Sequence, residues 1–372
     1  MLLVSAEGEF MASKEDVLAA LRLVQDPELF KDIVTLNMVK SVEVDGSTAI
    51  INVELTTPAC PLKDRIRTDV TEAVKKVPGI KNVEVQLSSR VRFSGESRTL
   101  LPGVKNIIAV GAGKGGVGKS TIAVAIAAGL AIRGAAVGLM DADVYGPSIP
   151  TMTGLDAQSP VVRDDQIIPF DIAAQGQTIK VMSIGFIVPK DKALIWRGPM
   201  VHGVIRQFLE QVQWGDLDYL VVDLPPGTGD VSLTLAQSIP LTGAVIVATP
   251  QNVALIDARR AVRMFQQLGV AILGVVENMS YFICDHGTQY DIFGRGGAQR
   301  MAQDMGLPFL GELPLDIRIP RYGDQGELFA GFKPDSASRS YLNAIVETLA
   351  GQISVRNMTH PPAKSLQVEV TD

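Results

Sequence analysis

From residue 106 onward the chain alternates near-continuous apolar runs with longer stretches of helical period, the pattern of a parallel sheet covered on both faces. Strands are predicted at 107–111, 136–140, 180–183, 219–223, 243–248 and 271–277, with helices between them that include 121–133, 200–212 and 254–268. The first ninety residues follow a different rhythm. Ser13 and Asp16 form a capping-box pattern ahead of the periodic set Val17, Leu18, Leu21 and Val24, which ends at Asp26-Pro27. Two β-rich runs at 38–44 and 49–56 flank Asp45-Gly46-Ser47 and predict a hairpin. A second helix is expected from Pro61 to about Val77, then a strand at 83–87. The expected fold is α/β: a small αββαβ domain at 11–95, a linker at 96–105, a parallel-sheet domain at 106–355 and a flexible tail at 356–372.

Composition narrows the function. At 372 residues and 47% hydrophobic content the chain can bury two cores. A net charge of −6 gives no bulk basic field for a nucleic-acid backbone, so no nucleic-acid partner is expected. The longest apolar runs, 121–132 and 244–248, fall short of the roughly 20 residues that cross a bilayer, and no membrane span is expected. Residues 1–10 carry Glu7 and Glu9 and do not read as a secretory signal, so a cytoplasmic location is expected, with Met1 or Met11 as the natural start. Cys60 and Cys284 are too few for a disulfide framework and are expected as free thiols.

The densest chemistry is Gly113-Lys114-Gly115-Gly116-Val117-Gly118-Lys119-Ser120, which satisfies G-x-x-x-x-G-K-[ST] between a predicted buried strand and a predicted helix. The glycines let backbone N–H groups turn inward around a β-phosphate, Lys119 brings a cation to the β/γ oxygens, and Ser120 offers its hydroxyl to Mg²⁺. An ATP site with contacts from Gly113 through Thr121 is the expectation. Asp141 and Asp143 follow a predicted strand at its carboxyl end, where open α/β sheets bind ligands. Asp143 is the candidate for positioning the attacking water and Asp141 for the metal shell; turn chemistry is the alternative for both. Asp223 ends an apolar run, as a residue holding Mg²⁺ through water would, and Pro225-Pro226-Gly227-Thr228-Gly229-Asp230 suits a switch loop.

Lys114 is not required by the general motif, and it resembles the deviant phosphate loop of the MinD/ParA-like ATPases. The resemblance implies that Lys114 reaches the partner's nucleotide across an ATP-sandwich homodimer, with a solvated surface lysine as the alternative. Asn278 resembles the asparagine that reads adenine in these proteins; a strand-end turn residue is its other reading. Together with Asp-Ala-Asp-Val-Tyr-Gly-Pro-Ser at 141–148 and Glu277-Asn278-Met279-Ser280-Tyr281-Phe282, these motifs resemble the Mrp-type iron–sulfur cluster carrier ATPases over about 105–350. Asp26-Pro27-Glu28 and Thr56-Thr57-Pro58-Ala59-Cys60-Pro61 resemble the SufT-type domain often fused to them.

That resemblance implies a homodimeric, Mg²⁺-dependent ATPase that takes iron–sulfur clusters from an assembly scaffold to apoproteins. Family members usually carry Cys-x-x-Cys after Asn-Met-Ser-Tyr-Phe, two subunits pooling four thiolates around one [4Fe–4S] cluster. Here the stretch is Cys284-Asp285-His286-Gly287, so a symmetric dimer supplies two thiolates from this loop, and Asp285 or His286 could complete a mixed site. Cys60, just before the expected helix start at Pro61, reads equally as a second cluster ligand with a lowered pKa or as a small buried hydrophobe. His202 and His360 carry no motif. The alternatives are a cluster-free scaffold or regulatory ATPase, which Gly287 favours, and a MinD/ParA-like positioning ATPase, against which stand the acidic balance and the lack of a terminal basic amphipathic helix.

Overall fold

Three of the six predicted strands of the large domain, those expected at 107–111, 180–183 and 219–223, begin earlier than their apolar runs, because partner strands recruit flanking residues into the ladder. The computed structural model describes residues 12–27, 29, 31–91, 101–156, 158–174, 176–187, 198–284 and 286–359. Both candidate starts, residues 96–100 of the expected linker, Glu28, Asp285, His360 and the rest of the expected tail lie outside them. The chain divides into two compact units, Met1–Arg92 and Phe93–Asp372.

In the first unit α1 (Lys14–Leu21) opens on the expected capping box. Ser13 Oγ accepts the Asp16 N–H at 3.2 Å, and the Asp16 carboxylate accepts the Ser13 N–H at 3.0 Å. Strands β1 (Val39–Asp45) and β2 (Thr48–Leu55) form the antiparallel hairpin, and β3 (Asn82–Ser89) lies parallel to β2 after crossing through α2 (Lys63–Lys75). Ala49, Ile51, Val53 and Leu55 alternate into the core, as do Ile66, Val70 and Val74 at helical spacing.

The expected helix start at Pro61 is corrected: α2 begins at Lys63 after Leu62. Residues 57–60 form their own turn first, with Thr57 Oγ1 accepting the Ala59 N–H at 3.2 Å and Thr57 O accepting the Cys60 N–H at 3.3 Å. Cys60 is buried in that turn and stands outside the first helical turn, where the helix dipole acts. The dipole argument for a lowered thiol pKa therefore loses its basis.

The second unit is a nine-stranded sheet. In chain order it comprises β4 (Val104–Ala112), β5 (Val137–Asp141), β6 (Phe170–Ala174), β7 (Gln177–Ser183), β8 (Leu217–Asp223), β9 (Gly243–Ala248), β10 (Ile272–Ile283), β11 (Gln289–Tyr290) and β12 (Phe309–Leu315). Its order is β6-β7-β5-β8-β4-β9-β10-β11, with β12 also on β10. The seven strands from β7 to β10 plus β12 run parallel, and β6 and β11 are antiparallel edges. Strands β5 and β9 are buried along their whole length, as two-sided coverage demands.

Covering helices include α3 (Lys119–Ile132), α4 (Gly198–Gln211), α5 (Asp230–Ser238), α6 (Asn252–Gln267), α7 (Gly297–Asp304), α8 (Arg318–Asp324) and α9 (Arg339–Thr359). Strand β4 starts inside the expected 96–105 linker because Val104 pairs with Leu217. Helix α9 carries residues 356–359 of the expected tail, and Asn357 is buried, donating to Asn106 Oδ1 at 2.9 Å. Among the described residues no helix is long and apolar enough to cross a membrane.

Candidate functional site

Three strand ends meet at one level of the sheet: Asp141 of β5 is in register with Asp223 of β8 and with Ser183 of β7. The phosphate loop rises from the next strand, β4, and turns into α3 at Lys119. Gly118 makes that turn with φ +81°, and a Cβ there would stand 2.2 Å from Asn278 Nδ2, so both conformation and space require glycine.

Lys119 reaches the acidic strand ends rather than solvent. Its ammonium donates to Asp223 Oδ1 at 2.6 Å and lies 3.3 Å from Asp143 Oδ2 and from Ser120 Oγ. Ser120 Oγ in turn donates to Asp223 Oδ2 at 2.6 Å. Asp143 Oδ1 accepts the N–H groups of Tyr145 at 3.1 Å and Gly146 at 3.3 Å. Asp141 is fully buried, accepting the Asp143 N–H at 3.1 Å on Oδ1, and the Ile149 N–H at 3.2 Å and the Ser183 hydroxyl at 2.9 Å on Oδ2. Asp141 thus holds the loop that carries Asp143. The Gly227 N–H donates to Ala112 O at 2.8 Å, tying the loop before α5 to the end of β4, while Thr228 and Asp230 stay exposed. Lys114 is half-buried at the start of the phosphate loop.

The electrostatics of this cluster are unbalanced. Burial drives the Lys119 pKa down, but Asp223 and Asp143 outweigh it and hold the ammonium above the ordinary lysine value. Burial pushes Asp223 up despite the opposing pull of Lys119 and Ser120. Asp141 is pushed up to about 8 by burial and by Asp223, against the pull of Lys119 and its own donors. Three carboxylates share one lysine, and two hard oxygen ligands, on Ser120 and Asp223, lie side by side; this donor set fits Mg²⁺.

A cavity of about 520 Å³ opens beside the loop, with Gly118, Thr121, Ser148, Met152, Asn278 and Pro314 in its wall. Asn278 is not at a strand end, as expected, because β10 runs on to Ile283. Its Nδ2 donates to Val117 O at 2.8 Å, and its Oδ1 accepts the Met279 N–H at 3.0 Å. Glu277, its neighbour, is buried, and its two carboxylate oxygens accept the N–H groups of Gly296 at 2.8 Å and Ala298 at 2.7 Å, at the start of α7.

Cys284 follows the last residue of β10, half-buried at the tip of a ribbon that β11 closes through the pairs Phe282↔Tyr290 and Ile283↔Gln289. The Cys284 N–H donates to Thr288 O at 3.0 Å and the Gly287 N–H donates to Cys284 O at 2.8 Å. His286 is exposed, and Ile283, Tyr290 and Ile292 form an exposed apolar rim. Among the described residues no three His, Cys, Asp or Glu side chains converge on a metal-sized point. His202 Nδ1 pairs with Ser238 Oγ at 2.8 Å, an exposed contact away from this chemistry.

Two contributors went unread in the sequence. Ser183 ends a strand beside the one that ends at Asp141, and a polar residue closing an apolar run was the signal for it. Glu277 interrupts an apolar run, which marks a partnered buried charge.

The phosphate loop, the lysine-to-aspartate contacts and the parallel sheet define a P-loop nucleotide-binding protein. Residues 103–350 match the ParA family described as NUBPL iron-transfer P-loop NTPase, and residues 14–87 match the family described as iron–sulfur cluster assembly protein. The chain belongs to these iron-transfer P-loop NTPases. An iron–sulfur cluster carrier protein of Synechocystis sp. is 50% identical over 93% of this chain and 99% of its own length. One of Deinococcus radiodurans is 50% identical over 93% and 97%. A nucleotide-binding protein of Archaeoglobus fulgidus solved with ADP is 41% identical, with a TM-score of 0.55 over 63% of this chain and 90% of that one.

Proposed function

We propose that this protein is a cytoplasmic ATP-hydrolysing carrier that accepts iron–sulfur clusters from an assembly scaffold and delivers them to apoproteins, working as a homodimer. The observation that carries the reading is one continuous strand, β10, that holds Asn278 against the phosphate loop and leads into Cys284. Family membership and the carrier relatives support the cargo.

In the hydrolytic step Lys119 exchanges its carboxylate contacts for the β/γ oxygens, and Lys114 of a partner adds positive charge as negative charge develops. Asp143, held by its loop, orients the attacking water. Ser120 and Asp223 would hold Mg²⁺, which offsets the phosphate charge when bound. Asp141 acts at one remove, by fixing the loop of Asp143 rather than as a metal ligand. The adenine would lie in the 520 Å³ cavity against Asn278. Cys284 of each subunit supplies thiolates to the cluster, which is cargo, and Cys60 is the candidate acceptor ligand in the N-terminal unit.

Gly287, where the family carries a cysteine, specifically favours a second reading, a cluster-free regulatory ATPase. The test is anaerobic reconstitution of wild type, Cys284→Ala and Cys60→Ala, scored by iron, sulfide and visible absorption, followed by transfer to an apo-[4Fe–4S] protein. The carrier reading expects a chromophore that Cys284→Ala loses; no cluster in any form leaves the regulatory ATPase.

A further inference from the structure

We infer that the turn Ser183-Ile184-Gly185, which follows β7, is the seat that positions Asp143 for hydrolysis, with Ser183 a positioning residue acting through Asp141. The inference rests on the role proposed above for Asp143.

Two contacts carry it, one polar and one steric. The first is a hydrogen-bond chain. Ser183 is fully buried, and its hydroxyl donates to Asp141 Oδ2 at 2.9 Å while accepting the Gly185 N–H at 2.9 Å. Asp141 receives the Asp143 N–H near the start of the loop and the Ile149 N–H at its far end, so one carboxylate closes both ends of the segment between them. A buried carboxylate with those donors has no solvent to replace a lost one. Removing the Ser183 hydroxyl leaves Asp141 Oδ2 with one donor from the loop itself, and the carboxylate then turns with the loop instead of anchoring it.

The second contact is steric. A Cβ on Gly185 would lie 3.0 Å from Pro147 Cβ, 3.1 Å from Pro150 Cγ and 3.1 Å from Ser183 Oγ. The turn therefore abuts the same loop on its proline side. Rings at Pro147 and Pro150 cannot rotate away, so an added methyl moves the loop by a few tenths of an ångström. The phosphate loop, on β4, touches neither contact and should keep its hold on the phosphates, while Gly146, Pro147 and Ser148 of the displaced loop also line the cavity for the base.

The experiment measures Mg-ATP hydrolysis and binding of a fluorescent ATP analogue for the full chain, with Ser183→Ala, Gly185→Ala, Asp143→Asn and the Ser183→Ala/Asp143→Asn double variant. Ser183→Ala and Gly185→Ala should each lower kcat about 10- to 100-fold, the scale of sub-ångström to ångström misplacement, with a clearly smaller change in nucleotide Kd, because the phosphate loop is untouched. The double variant should be no slower than Asp143→Asn alone, since Ser183 has no other route to the chemistry. Should Ser183→Ala fold poorly, Gly185→Ala, which removes no hydrogen-bonding group, still decides. Wild-type kcat in both single variants, a loss of nucleotide affinity as large as the loss in kcat, or multiplied losses in the double variant overturn the inference while leaving Asp143 in place. A wild-type rate in Asp143→Asn removes the role of Asp143, and the inference with it.

Discussion

Replacing Glu277 by Gln tests whether this buried carboxylate holds the start of α7. The native side chain is fully buried and accepts two backbone N–H groups, from Gly296 and Ala298, at 2.8 and 2.7 Å. Hydrogen bonds to a charged acceptor contribute about 1.5–3 kcal/mol each, and a carboxylate at a helix N-terminus adds up to about 1 kcal/mol. Gln keeps the shape and one acceptor but turns an NH₂ donor toward the second N–H, so one bond becomes neutral and the other becomes a donor-to-donor clash. The expected loss is about 2–4 kcal/mol. The assay is equilibrium urea unfolding followed by tryptophan fluorescence. Trp214 is buried in the core of the second unit, so its signal reports that unit. A loss under about 0.5 kcal/mol at unchanged m-value would refute the reasoning, because it would mean that neither bond is made in solution.

Gly118→Ala should weaken nucleotide binding at least about tenfold by calorimetry while the protein stays folded, since a Cβ at φ +81° is strained and collides with Asn278; unchanged affinity would count against the placement of Asn278. Asp316 is held below the ordinary carboxylate value: burial raises it, but the Arg318 and Ser338 bonds outweigh that. A depressed native pKa contributes stability above the unfolded value near 4 that fades as pH falls through the native one. Asp316→Asn should therefore lower the melting temperature more at pH 7 than at pH 3, the difference shrinking as pH falls below the unfolded value; an equal effect at both would refute the linkage. Gly287→Cys restores the second thiol at a site with open space around its Cβ, at a strain of about 1–2 kcal/mol from φ +78°. It should raise the iron retained per chain after gel filtration, and no gain would argue that Cys284 is not a ligand.

The legible parts of the fold were those that local chemistry specifies. The capping box at Ser13 and Asp16, the Gly46 hairpin and the phosphate loop each depend on residues close in sequence, and they stand where they were expected. Strand lengths were less legible because partners decide them. Val104 and Lys105 joined β4 through Leu217 and its neighbours on β8, and β10 continued past Asn278 because β12, itself unread, pairs with it as far as Leu315. The start of α2 was misjudged because Pro61 suits the first turn of a helix, yet the Thr57 turn captured the backbone first. In the site, Asp141 and Asp223 were visible at strand ends and Asp143 just past one, but the way Asp141 holds the loop of Asp143 was not. It depends on Ser183 and Ile149, which only the folded sheet brings to Asp141.

Strand β10 is twelve residues long where β9 beside it has six. From Asn278 to Cys284 it spans on the order of 15–20 Å of extended chain. No proton, phosphate or electron pair passes from the cleaved nucleotide to the sulfur across such a gap in one step. Under the proposed carrier function, fuel and freight are thus insulated from one another chemically. Oxidising the thiol need not stop the hydrolysis, and a blocked phosphate loop need not spoil the thiol, so damage at either end can be read out separately.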